Sequence, residues 1–168
     1  MTVPDADPRA HLVANIQAER ALWADLVEEV GEDRMTDPGP MGEWTFKDLA
    51  SHLLAWRERT IARLEAAAAG REEPPNPWPA ELGDEEDDTV NAWIHERTRD
   101  RPLRDVLDDV DRSYERYASA IAALPDDLVT RPDAFPWLEG EALADVELFG
   151  HLHDEHEPSM RAWLTERA

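Results

Sequence analysis

The sequence contains no cysteine. Its 168 residues can form no disulfide, thiolate nucleophile or cysteine-ligated zinc site, so any metal must be held by histidine and carboxylate. Lysine is nearly missing as well: Lys47 stands alone against sixteen arginines, a bias of high-GC bacterial coding. Positive charge is scarce overall, with Lys+Arg 17 against Asp+Glu 39 and a net charge of −22. A surface that negative repels phosphate backbones and anionic lipid, which argues against nucleic-acid and membrane-surface partners. No apolar run approaches the ~20 residues that span a bilayer. Met1-Thr2-Val3-Pro4-Asp5 lacks the basic and apolar regions of a signal peptide, so the expectation is a cytoplasmic protein of one domain, 1–168. Also missing are a Gly-rich phosphate loop, a His-Glu-x-x-His run and a Gly-x-Ser-x-Gly elbow.

What the chain does have is helical periodicity. Between residues 8 and 31, Leu12, Ile16, Trp23, Leu26, Val27 and Val30 recur at three- and four-residue steps. Asp37-Pro38-Gly39-Pro40 breaks the pattern. Thr45, with Asp48 three residues on, makes a capping box for a second helix. The stripe Phe46, Leu49, Leu53, Trp56, Thr60 and Leu64 predicts that this helix runs to about residue 68. Residues 70–88 hold Pro74, Pro75, Pro77, Pro79 and the acid run Asp84-Glu85-Glu86-Asp87-Asp88, and read as an irregular connection, either lid or crossover. Helical period returns over 89–98, then from Pro102 through Val106, Val110, Tyr114, Tyr117, Ile121 and Leu124. A loop over 125–140 leads to a last helix expected from about Glu141 to Glu166. Strand-type alternation is absent. The fold class is therefore all-α, a four-helix bundle with a long connection between helices 2 and 3.

His151-Leu152-His153-Asp154-Glu155-His156-Glu157 holds three of the six histidines. At about 100° per residue, Phe149, Leu152, Met160 and Trp163 share one face, with His156 inside it, His153 at its edge and His151 pointing outward. His52 flanks the buried stripe of the second helix. Facing helices of a bundle build His and carboxylate metal sites, and a divalent ion such as zinc or nickel needs about three protein donors. The candidate ligands are His52, His153 and His156, with Glu155 the other choice for the third place. His52 and Glu155 are the candidate catalytic residues, and Glu43, Asp48 and Glu58 are carboxylates near His52 suited to general-base work. Trp44, Trp56 and Trp137 are the candidate pocket walls. Pro158 removes the backbone bond to Asp154, and reads either as a kink tolerated in a surface-facing turn or as a bend that re-aims His153 and His156. His11 and His95 read as surface residues.

Trp44-Thr45-Phe46-Lys47-Asp48-Leu49-Ala50-Ser51-His52-Leu53-Leu54-Ala55-Trp56 resembles the second-helix signature of the DinB-like four-helix bundles. Gly150-His151-Leu152-His153-Asp154-Glu155-His156-Glu157-Pro158, followed by Arg161-Ala162-Trp163-Leu164, resembles the last-helix signature of the ClbS/DfsB branch. The resemblance implies a superfamily of metal-binding enzymes that includes bacillithiol- or mycothiol-dependent transferases and a mycothiol-dependent maleylpyruvate isomerase. ClbS-type members are associated with self-protection against reactive electrophilic metabolites. It also implies one histidine donor from the second helix, matched by His52, and two donors four residues apart on the last. His156 matches the final position, but four residues before it stands Leu152. Glu147 with His151 has the isomerase branch's Glu-x-x-x-His spacing, on a face turned from the apolar stripe. The implied function is protection against, or modification of, a small electrophile by a metal-assisted hydrolase or a transferase using a low-molecular-weight thiol. The other reading is a non-catalytic small-molecule-binding bundle or homodimer with structural histidines.

Overall fold

A computed structural model describes residues 7–84, 88–148 and 150–166, with Met41 described for its backbone alone. Phe149 and Glu85-Glu86-Asp87 of the acid run lie outside the described residues. Helix α1, Ala10–Val30, buries Leu12, Ile16, Trp23, Leu26 and Val30, the stripe that its period predicts. Helix α2, Phe46–Ala68, opens on the expected capping box: Asp48 N–H donates to Thr45 Oγ1 at 3.1 Å, and Thr45 N–H donates to Asp48 Oδ2 at 3.0 Å. Helix α4, Leu103–Ala122, follows Pro102 and packs between α1 and α2 through Val106, Val110, Tyr114, Tyr117 and Ile121. The last helix, α6, Glu157–Glu166, adds Met160, Trp163 and Leu164 to the same core. The result is the all-α bundle that the sequence predicts.

A fifth helix thickens one side. Helix α3, Asp88–Thr98, lays Val90 and Ile94 against Trp78 and the Ala55–Trp56 edge of α2, a small core separate from the main one. The long connection is tied down there. Trp56 and Trp78 rings lie 4.7 Å apart, Arg59 sits within 5.3 Å and 5.4 Å of their centroids, and Arg59 Nε donates to Asn76 Oδ1 at 2.8 Å. Lys47 donates from α2 to the carbonyls of Arg99 and, at 3.1 Å, Arg101, which holds the end of α3 against the bundle.

Three features depart from the sequence reading. The break at 37–40 is half of a two-stranded antiparallel hairpin, β1 Pro38–Met41 and β2 Trp44–Thr45, turned at Gly42 with φ +69. Gly39 is there for closeness. A Cβ on it would meet Trp163 Cε2 and Nε1 at 2.9 Å, so the α6 indole lies on bare backbone. Residues 126–130, expected in a loop, form the short helix α5, Asp126–Thr130. The last helix also begins well after Glu141. Leu143–Asp145 is only a 3₁₀ turn, flanked by extended backbone at Ala142 and Val146, because Ala142 and Leu143 are buried. Long-range burial overrides the helix propensity of that stretch. No helix among the described residues is long and apolar enough to cross a membrane.

Candidate metal centre

Before α6 the backbone makes a π-helical turn, His151–His156, in which Glu157 N–H reaches back five residues to Leu152 O. Pro158 follows at once and has no N–H to hold the ordinary four-residue bond to Asp154, which lowers the cost of the wider turn. In an α-helix, residues five apart diverge by about 140°. In the wider turn they stack, and His156 Nε2 lies 3.0 Å from His151 Nε2. The outward orientation expected for His151 is therefore corrected: it faces the bundle. His52, 1% exposed on α2, completes the group, with its ring 5.3 Å from His151 and 5.4 Å from His156. One ligand atom from each of the three lies within 4.8 Å of the others.

The other predicted positions fall around this cluster. His153 is not brought to it: the side chain is 69% exposed and its Nδ1 lies 2.6 Å from Glu157 Oε2. That hydrogen bond and the charge of Glu157 raise the pKa of His153. Glu155 is 64% exposed, 3.6 Å from His151, and lines neither of the two cavities that meet the cluster. Asp48 is spent on the cap of α2, Glu58 pairs with Arg116 at 2.6 Å, and Glu43 is exposed. Trp44 meets His52 edge-on at 5.7 Å. Trp137 is away from the histidines, packed on Phe135 and beneath Arg63. His11 is at the surface, but His95 is not the free surface residue expected. It stacks on Trp44 at 5.0 Å, with Nε2 3.5 Å from Asp48 Oδ1.

Two cavities meet the cluster. One, about 180 Å³, is walled by Leu53, Trp56, Leu148 and Leu152 and reaches His151. Its polar end is a buried network that sequence reasoning missed. Arg57 donates to Ser113 Oγ at 3.0 Å, Glu19 Oε1 at 3.1 Å and Tyr114 OH at 2.9 Å. Burial pushes the Glu19 carboxyl above its ordinary range, against the opposing pull of Arg57. Burial likewise raises the Tyr114 and Tyr117 hydroxyls. The other cavity, about 370 Å³, is lined by His52 and His156 with Trp44, Asp88, Asn91 and His95.

A family model described as the mycothiol maleylpyruvate isomerase N-terminal domain matches residues 16–142. The chain belongs to this family. The family is part of the DinB-like superfamily and is associated with mycothiol and with metal binding. No curated protein and no solved structure matches the chain. The family match spans Glu19, His52 and Arg57 and stops before His151 and His156, so the last-helix donors are read from geometry alone.

The His151–His156 edge of the histidine triangle suits a divalent ion, and the wider separations, up to 4.8 Å, would have to close around it. Zinc–nitrogen bonds of about 2.0–2.1 Å in a tetrahedron place nitrogens roughly 3.3 Å apart, close to the His151–His156 separation. Three imidazoles are a donor set that zinc or nickel accepts, and three protein ligands leave a position open.

Proposed function

We propose that the chain modifies a small electrophile with the help of a divalent metal held by His52, His151 and His156, and uses a low-molecular-weight thiol as partner. The observation that carries this reading is the convergence of three imidazoles from two separate helices on one point beside two cavities. A bound divalent ion supplies Lewis acidity and lowers the pKa of a water or thiol at its open position. The chain's own residues do the rest. Leu53, Trp56, Leu148 and Leu152 form an apolar wall on one side. Glu155, exposed and 3.6 Å from His151, is placed to accept a proton from the histidine centre and pass it to solvent. The family's link to mycothiol supports a thiol partner.

Zinc uptake tests the reading. Protein purified without chelator is expected to carry about one equivalent of divalent metal. His52→Ala should lose it while keeping the far-ultraviolet helical signal. Because ligand that binds only the folded state stabilises it by RT ln(1 + [L]/Kd), zinc at ~100 Kd should add about 2.7 kcal/mol. Less than half an equivalent, with no rise in melting temperature on adding zinc or nickel, sinks it. The imidazole–imidazole contact at 3.0 Å then supports the other reading, a non-catalytic binding bundle in which His151 and His156 hydrogen-bond to each other.

A further inference from the structure

The three histidines are shared between two cavities, with His151 facing one and His52 and His156 facing the other. Trp56 continues the wall between them: its face lines the smaller cavity while its Nε1 donates to Asn91 Oδ1, in the larger one, at 3.3 Å. A reactive centre held by these histidines is therefore open on two sides.

The two sides differ in size and chemistry. A cavity of about 150 Å³ admits a benzene-sized molecule, so the Trp56 cavity at about 180 Å³ takes a compact molecule of roughly eight heavy atoms. Leu53, Trp56, Leu148 and Leu152 make one apolar wall, Glu19, Arg57, Thr60 and His151 supply polar groups, and the guanidinium among its described lining residues, Arg57, is committed to Ser113, Glu19 and Tyr114. A closed ion pair favours an uncharged guest over a carboxylate. The Trp44 cleft, about 370 Å³, falls in the size range of sites for larger ligands. Asp88, Asn91 and His95 line it with a carboxylate, an amide and an imidazole, and no Lys or Arg is among its lining residues. That set matches hydroxyl and amine groups and discourages phosphate or carboxylate.

We infer that the histidine centre is served from opposite sides: a hydroxyl-rich thiol enters by the Trp44 cleft, and a small uncharged electrophile enters by the Trp56 cavity. This rests on the reading of the three histidines as one metal-holding centre, and adds which ligand goes where.

Calorimetric titration tests it with two probes, N-acetylcysteinyl-glucosamine and 2-cyclohexenone. With no cysteine in the chain, the enone meets no protein thiol. Ala92→Trp, at an exposed position lining the Trp44 cleft, should weaken the sugar thiol at least tenfold and leave cyclohexenone within twofold. Leu148→Trp, with Thr60→Leu as a milder second filling of the Trp56 cavity, should do the reverse. The S-methyl form of the sugar probe should not displace cyclohexenone. Mutual displacement, a filling variant that weakens both probes alike, or no binding of either probe at 10 mM overturns the inference. Metal content is measured in parallel. A protein that binds no zinc yet keeps the two-probe pattern refutes the metal reading alone, whereas a zinc-loaded protein whose probes compete refutes the assignment of sides alone.

Discussion

His151 and His153 stand two positions apart and have opposite fates. One faces His156 at 3.0 Å; the other is turned to solvent and engaged by Glu157. Removing each separates their roles: His151→Ala should weaken zinc binding at least a hundredfold by chelator competition, while His153→Ala should leave it within threefold. Equal losses would mean that the turn rearranges on metal binding. The buried pair Arg57–Glu19 makes a second case at this scale. Arg57→Met strands a buried carboxylate, a loss of about 3–5 kcal/mol, and adding Glu19→Leu should recover most of it. Because burial holds the Glu19 pKa above 4.5, the folded chain keeps that proton longer than the unfolded one, so this group subtracts stability as pH rises past 4.5. Arg57→Met should steepen that decline, measured by urea unfolding at pH 5 and pH 8. Neither residue was singled out in the sequence, although both stand within apolar stripes. Glu19 falls between Ile16 and Trp23, and Arg57 between Leu53 and Ile61. His151 was named through its spacing from Glu147, but its inward orientation was not visible, because a constant 100° step hides a change of helix type.

Elements with local signals were legible: α1 by its stripe, α2 by its cap and stripe, α4 by Pro102 and its period. Elements fixed by distant partners were not. The hairpin depends on Trp163 lying over Gly39, and the stretch before the last helix depends on burial of Leu143. On the proposed metal reading, the π turn accounts for the donor missing at Leu152, with His151 in its place. Donors four apart on an α-helix become donors five apart when one residue is inserted and the turn widens around it. Deleting Asp154 should reverse this, placing the former positions 151 and 156 four apart in an ordinary helix. Zinc affinity should then stay within tenfold of the parent, by the same competition assay. Loss as complete as in His151→Ala would show that the wide turn itself, not the spacing, holds the site.

At the scale of the molecule, charge is the dominant surface fact. Exposed ion pairs such as Arg104–Glu32 and Arg20–Asp111 contribute at most about 1 kcal/mol each, and salt weakens them. Self-repulsion from a net charge of −22 acts the other way under the same screening. Because acids exceed bases more than twofold, relief of repulsion should win. Scanning calorimetry at about 10 mM and 150 mM NaCl, where the Debye length falls from about 30 Å to 8 Å, should show a melting temperature that rises with salt. A fall would place the ion pairs in command. That excess of acid was fully legible in composition; which acids are buried was not, since Glu19 looks like any other until helices are set side by side.

Because the histidines separate two mouths, reactants that use different ones do not queue. Neither has to arrive first, and initial-rate lines for the two should intersect rather than run parallel. A product leaving by one mouth should compete only with the reactant that enters there.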